Sequence, residues 1–186
     1  MKEIKLKQVK VPETLNTRVI FNKKRMKIVK INVRFPKRTT QHYVVKFNDA
    51  VTAVVIDKNK NILLAKEWRS GWNKFVYKLP GGGVAGKGEA ANRRAIKKEL
   101  VEELGVHAKK ITKLASVPHD VKVIHHISIY LAQDISLGKQ VPEKDEYIEV
   151  VKMPFKKALK MFVRNNSKMT SESVLGLLLA KEKLKL

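Results

Sequence analysis

The stretch from Leu79 to Val106, LPGGGVAGKGEAANRRAIKKELVEELGV, limits this chain more than any other. Five glycines fall within eight residues: Gly81, Gly82, Gly83, Gly86 and Gly88. They supply backbone that can take positive φ and approach a ligand closely. A helical pattern follows. Ile96, Leu100 and Leu104 recur every four residues and make an apolar stripe that must dock on a core. Glu99, Glu102 and Glu103 share another face of the same helix, with Lys98 beside them, and Gly105 ends it.

Three carboxylates packed this closely repel one another unless something offsets the charge. Divalent cations with hard oxygen ligands do so, and Mg²⁺ or Mn²⁺ suits such a set best. The plain alternative is a solvated helix, since lysines and glutamates four apart are common on helix surfaces. The glycine-rich entry shifts the balance. A helix N-terminus attracts phosphate, and a phosphate-side loop joined to a carboxylate helix reads as a metal–pyrophosphate site.

The same residues resemble the Nudix box: Gly, five residues, Glu, seven residues, then Arg-Glu-apolar-any-Glu-Glu-any-Gly-apolar. Here Gly83 is followed after five residues by Glu89, and the second half reads Lys98-Glu99-Leu100-Val101-Glu102-Glu103-Leu104-Gly105-Val106. Eight residues, not seven, separate Glu89 from Lys98. Lys98 replaces the box arginine, keeping the charge but losing the bidentate fork. The resemblance implies an α/β fold, a Nudix-type α/β/α sandwich with a mixed central sheet, preceded by a small antiparallel N-terminal sheet. It implies a metal set of Gly82 (through its carbonyl), Glu99, Glu102 and Glu103, with Glu99 and Glu103 as catalytic groups and Lys98 supporting them. Gly83 falls at the substrate side of the box.

The chain carries 40 Lys+Arg against 17 Asp+Glu, a formal charge of +23. Residues 1–40 hold 13 basic and 2 acidic side chains. Such a balance favours polyanions: nucleic acid, an anionic membrane surface or small phosphorylated molecules. The lysines alternate singly with apolar residues, as in KEIKLKQVKV and RMKIVKINVRF, like the solvent faces of strands, so a general lysine bias explains the charge equally well. Aromatic residues are few, which removes an obvious stacking platform for single strands. With no cysteine there is no disulfide and no thiolate metal site. No apolar run reaches the length of a membrane span, and the basic N-terminus has no apolar core of a secretory signal. The expected location is cytoplasmic.

Residues 17–48 read as antiparallel strands: TRVIFN, a turn at Lys23-Lys24, RMKIVKINVRF, a turn near Pro36, then QHYVVKF. They resemble the N-terminal sheet of the ADP-ribose and nucleoside diphosphate sugar pyrophosphatase branch of the Nudix hydrolases, where it helps form a homodimer. The expected division is therefore residues 1–48 for dimerisation and 49–186 for the hydrolase domain. Two strand-like runs surround DKNKN, and the second ends in Glu67-Trp68-Arg69. That segment resembles the family's Gln-Tyr-Arg, which places Glu67 and Arg69 on the substrate; the alternative for Arg69 is an ordinary surface arginine. A loop at Ser70-Gly71-Trp72-Asn73 precedes a strand from Lys74 to Leu79. Many relatives carry Glu before Leu-Pro; this chain carries Lys78.

After the box come two expected strands, Lys110 to Val117 and Val121 to Ala132, with Pro118-His119-Asp120 between them. Relatives specialised for ADP-ribose often carry Ser-Pro-Gly there, so other nucleotide sugars stay open. His125 and His126 alternate on a strand, and with His119 they read as packing or surface residues and not as zinc ligands. Glu143, Asp145, Glu146 and Glu149 form an acidic cluster resembling the family loop that supplies a general base. Glu146 fits best, and Glu143 stands in where Lys144 occupies an acidic position; a solvated acidic loop is the alternative. Pro154 opens a helix, Asn165-Asn166-Ser167 breaks it, and Ser171 to Leu184 forms the last one, with Val174, Leu175, Leu177, Leu178 and Leu179 as a broad apolar stripe. The implied activity is metal-dependent hydrolysis of the pyrophosphate bond of a nucleoside diphosphate sugar or ADP-ribose-like substrate. Two rivals are an RNA 5′-pyrophosphohydrolase of the same family and a non-catalytic module that binds nucleotide or nucleic acid.

Overall fold

The computed structural model describes residues 10–144, 146–164 and 169–186. Asp145, the break at Asn165-Asn166-Ser167 and most of KEIKLKQVKV lie outside the described residues. Two compact units are present. The smaller runs up to Phe47 and takes in Asp120–Ile124; the larger comprises Asn48–His119 and His125–Leu186.

The smaller unit is a meander of β1 (Glu13–Lys23), β2 (Met26–Phe35) and β3 (Arg38–Phe47). Lys24 takes the left-handed φ of 46° in the first turn. The antiparallel register pairs Met26 with Phe47 and Phe35 with Arg38. Val45 and Lys46 also pair in parallel with Val123 and Ile124. Val19, Ile20, Phe21 and Tyr43 stay exposed.

The larger unit is built on β4 (Ala50–Ile56). It runs parallel to β9 (Val123–Leu137), pairing Ala50 with Ile127 and Val55 with Ala132, and antiparallel to β5 (Asn61–Arg69). β10 (Ile148–Pro154) and β6 (Lys74–Lys78) pair with β5, β7 (Gly81–Gly83) pairs with β4, and β8 (Val106–Asp120) pairs with β9. β4 is buried on both faces, as expected of a central strand that is apolar apart from Thr52. Val51, Ala53 and Val55 face a core shared with Ile96, Leu100 and Leu104 of α1 (Gly88–Leu104). Val54 and Ile56 face a second core with Phe155, Ala158 and Phe162 of α2 (Phe155–Arg164) and Leu177 and Ala180 of α3 (Ser171–Leu184). The period of two along one strand thus sets helices on both faces, and the α/β sandwich is the observed fold.

Four local expectations differ. Pro118, His119 and Asp120 lie within β8, so the hairpin turn sits at Val121-Lys122. Ser70–Trp72 is a 3₁₀ turn, closed by Asn73 in the left-handed region. Pro154 ends β10 opposite Asn61, and α2 starts one residue later. The buried face of α3 is Ser173, Gly176, Leu177 and Ala180, while Leu178 is exposed. The helix packs too closely for a leucine stripe: a Cβ on Gly176 would stand 2.7 Å from Leu79 Cδ1. Ser173 Oγ also accepts the Leu79 N–H at 3.1 Å, tying α3 to the strand that enters the glycine loop.

Candidate active site

α1 is fixed along its length. Ile96, Leu100 and Leu104 are buried, each worth about 1.5–3 kcal/mol on burial. Its C-terminus is capped by Gly105 at φ 63°, where a Cβ would meet Gly138 O at 2.7 Å. The Gly138 N–H returns to Gly105 O at 2.7 Å, and Gln140 Nε2 donates to Glu103 O at 2.7 Å. A helix held this way presents its carboxylates in fixed places beside β7, against which it packs.

The most buried of them, Glu103, meets a cation of the chain itself. Lys78 pairs with Ala65 across β5 and β6, on the face turned to the α1 core, and Glu67 is its diagonal neighbour there. Lys78 Nζ lies 2.6 Å from Glu103 Oε1 and 3.0 Å from Glu67 Oε2. The Glu67 contact is an ion pair without hydrogen-bond geometry, since Glu67 Oε2 has no hydrogen-bond partner. The second Glu103 oxygen accepts the Gly81 N–H at 3.1 Å. Glu67 Oε1 pairs in turn with Arg69 Nη1 at 3.1 Å. Arg69, Glu67, Lys78 and Glu103 thus form a line of alternating charge from the half-exposed arginine to the helix interior. Burial alone would lower Lys78, but Glu103 and Glu67 lift it above the ordinary lysine value. Burial pushes Glu103 up to about 7 against the lowering pull of Lys78.

Glu99 and Glu102 are differently placed. Lys98 Nζ lies 2.7 Å from Glu102 Oε2 and 3.5 Å from Glu143 Oε1, so it bridges α1 to the acidic loop. Glu99 is half-buried, and no hydrogen bond or ion pair reaches it among the described residues. Burial first, and Glu102 second, raise its carboxyl above the usual range; Glu146 adds to the same effect. Glu146 Oε2 accepts the Glu143 N–H at 3.1 Å, which folds the loop on itself. Glu89 sits apart at the start of α1, bound by Tyr130, Lys113 and Arg93 at 3.1 Å each. Gly83 ends β7 opposite Ala50 and is exposed.

The donor set fits a hard divalent cation in part. A Cβ on Gly82 would collide with the Glu99 carboxylate, so that carboxylate lies against bare backbone. Glu99 and Glu102, with the Gly82 carbonyl, are oxygen donors of the kind Mg²⁺ or Mn²⁺ takes. Glu103 is placed differently: Lys78 Nζ contacts one of its oxygens and the Gly81 N–H donates to the other. Among the described residues no three His, Asp or Glu side chains are gathered to hold a metal ion. Of the histidines, His125 Nδ1 lies 3.3 Å from Asn48 O and its ring meets that of His119 edge-on, while His126 is exposed beside Asp49.

The structure brings Arg69, Glu67, Glu103, Glu99 and Glu102 to the strands and helix around the glycine loop. The role of Lys78 escapes a reading by motif. Its signal is a lysine facing two glutamates at a position where relatives place an acid. The NUDIX domain profile matches residues 46–172 of the chain. The chain belongs to the Nudix family, and it is a hydrolase of that family. A curated relative, the ADP-ribose pyrophosphatase of Bacillus subtilis (strain 168), is 28% identical over 155 residues, covering 80% of this chain and 82% of that protein. A solved structure described as an ADP compounds hydrolase superposes with a TM-score of 0.80 at 17% identity, covering 97% of each chain. Among the described residues no helix is long and apolar enough to cross a membrane.

Proposed function

We propose that the chain hydrolyses the pyrophosphate bond of ADP-ribose or a related nucleoside diphosphate sugar with the help of Mg²⁺ or Mn²⁺, giving a nucleoside monophosphate and a sugar phosphate. The observation that carries this reading is Glu99, half-buried against the backbone of Gly82, in no ion pair among the described residues and next to Glu102. The similarity to an ADP-ribose pyrophosphatase supports the substrate class. Glu99, Glu102 and the Gly82 carbonyl would hold the ion. A bound divalent ion supplies neutralisation of the diphosphate and a more acidic water. Arg69, half-exposed and oriented by Glu67, clamps a diphosphate oxygen, and Gly83 leaves room for the substrate at the end of β7. Glu146 takes the proton of the attacking water; Glu143 is the weaker candidate because its carboxylate is turned to Lys98.

A homodimer belongs to the same reading, supported by the exposed Val19, Ile20 and Phe21 of β1. A cytoplasmic location belongs to the same reading. The second reading, action on RNA 5′ ends, is favoured by the 13 basic against 2 acidic residues in 1–40. The test is phosphatase-coupled phosphate release, with and without Mg²⁺, from ADP-ribose, other nucleoside diphosphate sugars, nucleoside triphosphates and a 5′-triphosphorylated RNA. Metal-dependent cleavage of the diphosphate sugars is expected. Cleavage of the RNA alone would replace the first reading by the second.

A further inference from the structure

Lys78 is a lysine among acids at the heart of the site. It sits at the end of β6, one residue before Leu79-Pro80, and its side chain is buried with that of Glu103. A metal ion and an ammonium compete for the same oxygens, because both are hard cations that approach a carboxylate closely. At Glu103 the ammonium is already in contact: Nζ is 2.6 Å from Oε1. It is held there from behind by Glu67 at 3.0 Å and by Gly81 O at 3.4 Å. The other oxygen, Oε2, takes the Gly81 N–H. Displacing Lys78 from Glu103 would cost a buried ammonium its shortest contact and leave Glu67 as its remaining carboxylate partner. The exchange of Lys78 for a divalent ion is therefore opposed by the fold and not only by the contact.

We propose that the Lys78 ammonium is a built-in cation that takes the place of a divalent ion at Glu103, so that metal binds this chain through Glu99 and Glu102 without Glu103. The inference rests on the metal-dependent reading above and deepens it. Glu103 becomes a positioning residue. It fixes Lys78, which orients Glu67, which orients Arg69 toward the diphosphate. The site then has one cation position that is filled permanently and one that loads from solution.

The test is Mn²⁺ binding to the full chain, read from the loss of the free Mn²⁺ paramagnetic resonance signal, with far-UV circular dichroism as the folding check. Glu99→Gln is expected to weaken Mn²⁺ binding at least about tenfold, while Glu103→Gln changes it less than about threefold. Lys78→Met is expected to tighten binding about tenfold or to add a second ion, and adding Glu103→Gln to Lys78→Met is expected to remove that gain. Equal weakening by Glu99→Gln and Glu103→Gln in the Lys78 protein would overturn the proposal even if Lys78→Met failed to fold. Absence of Mn²⁺ binding by the natural chain, with binding restored in Lys78→Met, would overturn the proposal, because Glu99 and Glu102 would then not hold the ion without Glu103. Absence in both would overturn the two together.

Discussion

Two lysine–glutamate pairs involve α1, and by distance they are twins. Lys78 to Glu103 is 2.6 Å and Lys98 to Glu102 is 2.7 Å. Their surroundings differ: the side chains are 8% and 1% exposed in the first pair and 58% and 21% in the second. The attraction between the same two charges grows severalfold as water is removed, but so does the cost of taking each ion out of water. The outer pair is a surface contact between residues four apart on a helix, worth about 0.3–0.5 kcal/mol. The inner pair is tolerated only because it is part of a line of four charges with a backbone N–H at its end. The distance therefore identifies the partners, while burial decides what losing one of them does.

Breaking the inner pair gives the largest effect. Lys78→Ala takes the cation from buried Glu103 and leaves Glu67 with Arg69 alone, and should lower unfolding free energy by about 3–5 kcal/mol in a urea titration. A loss below about 1 kcal/mol would mean that the pair is wetter than its burial implies.

Acid should rescue that loss. Glu103 is raised in the folded chain from the ordinary 4.5 to about 7. The folded state then binds a proton that the unfolded state releases, so stability falls as pH rises through this window and returns as pH falls. With Lys78 gone, its lowering pull is gone too, and Lys78→Met should gain stability between pH 8 and pH 5 (about three pH units) more steeply than the natural chain. A pH-independent deficit would contradict the assignment.

The smallest effect belongs to the outer pair. Lys98→Ala should cost less than about 1 kcal/mol, and the cost should shrink further in 1 M salt, where screening acts within about 3 Å.

Much of this was legible from local pattern. Ile96, Leu100 and Leu104 were readable as a docking stripe because a helix repeats its faces every few residues, and all three are buried. β4 was readable as the first of the two strand-like runs around DKNKN, where Thr52 is the one polar residue among apolar ones. The α3 face was misread: its leucines outnumber its small residues, but close approach to Leu79, Ile129 and Val54 selects Gly176, Leu177 and Ala180. The pairing of Lys78 with Glu103 joins residues 25 apart through a sheet register and a helix docking. No spacing rule within one element contains that information, so the lysine registered only as a departure from the family's acid.

The account turns on Glu99 as the open carboxylate beside Gly82. The most direct measurement is the rate of ADP-ribose hydrolysis in Mg²⁺ by the natural chain and by Glu99→Gln, with melting temperatures taken on the same samples. The account predicts a loss of at least about a hundredfold at an unchanged melting temperature. Equal rates in the two proteins would contradict it.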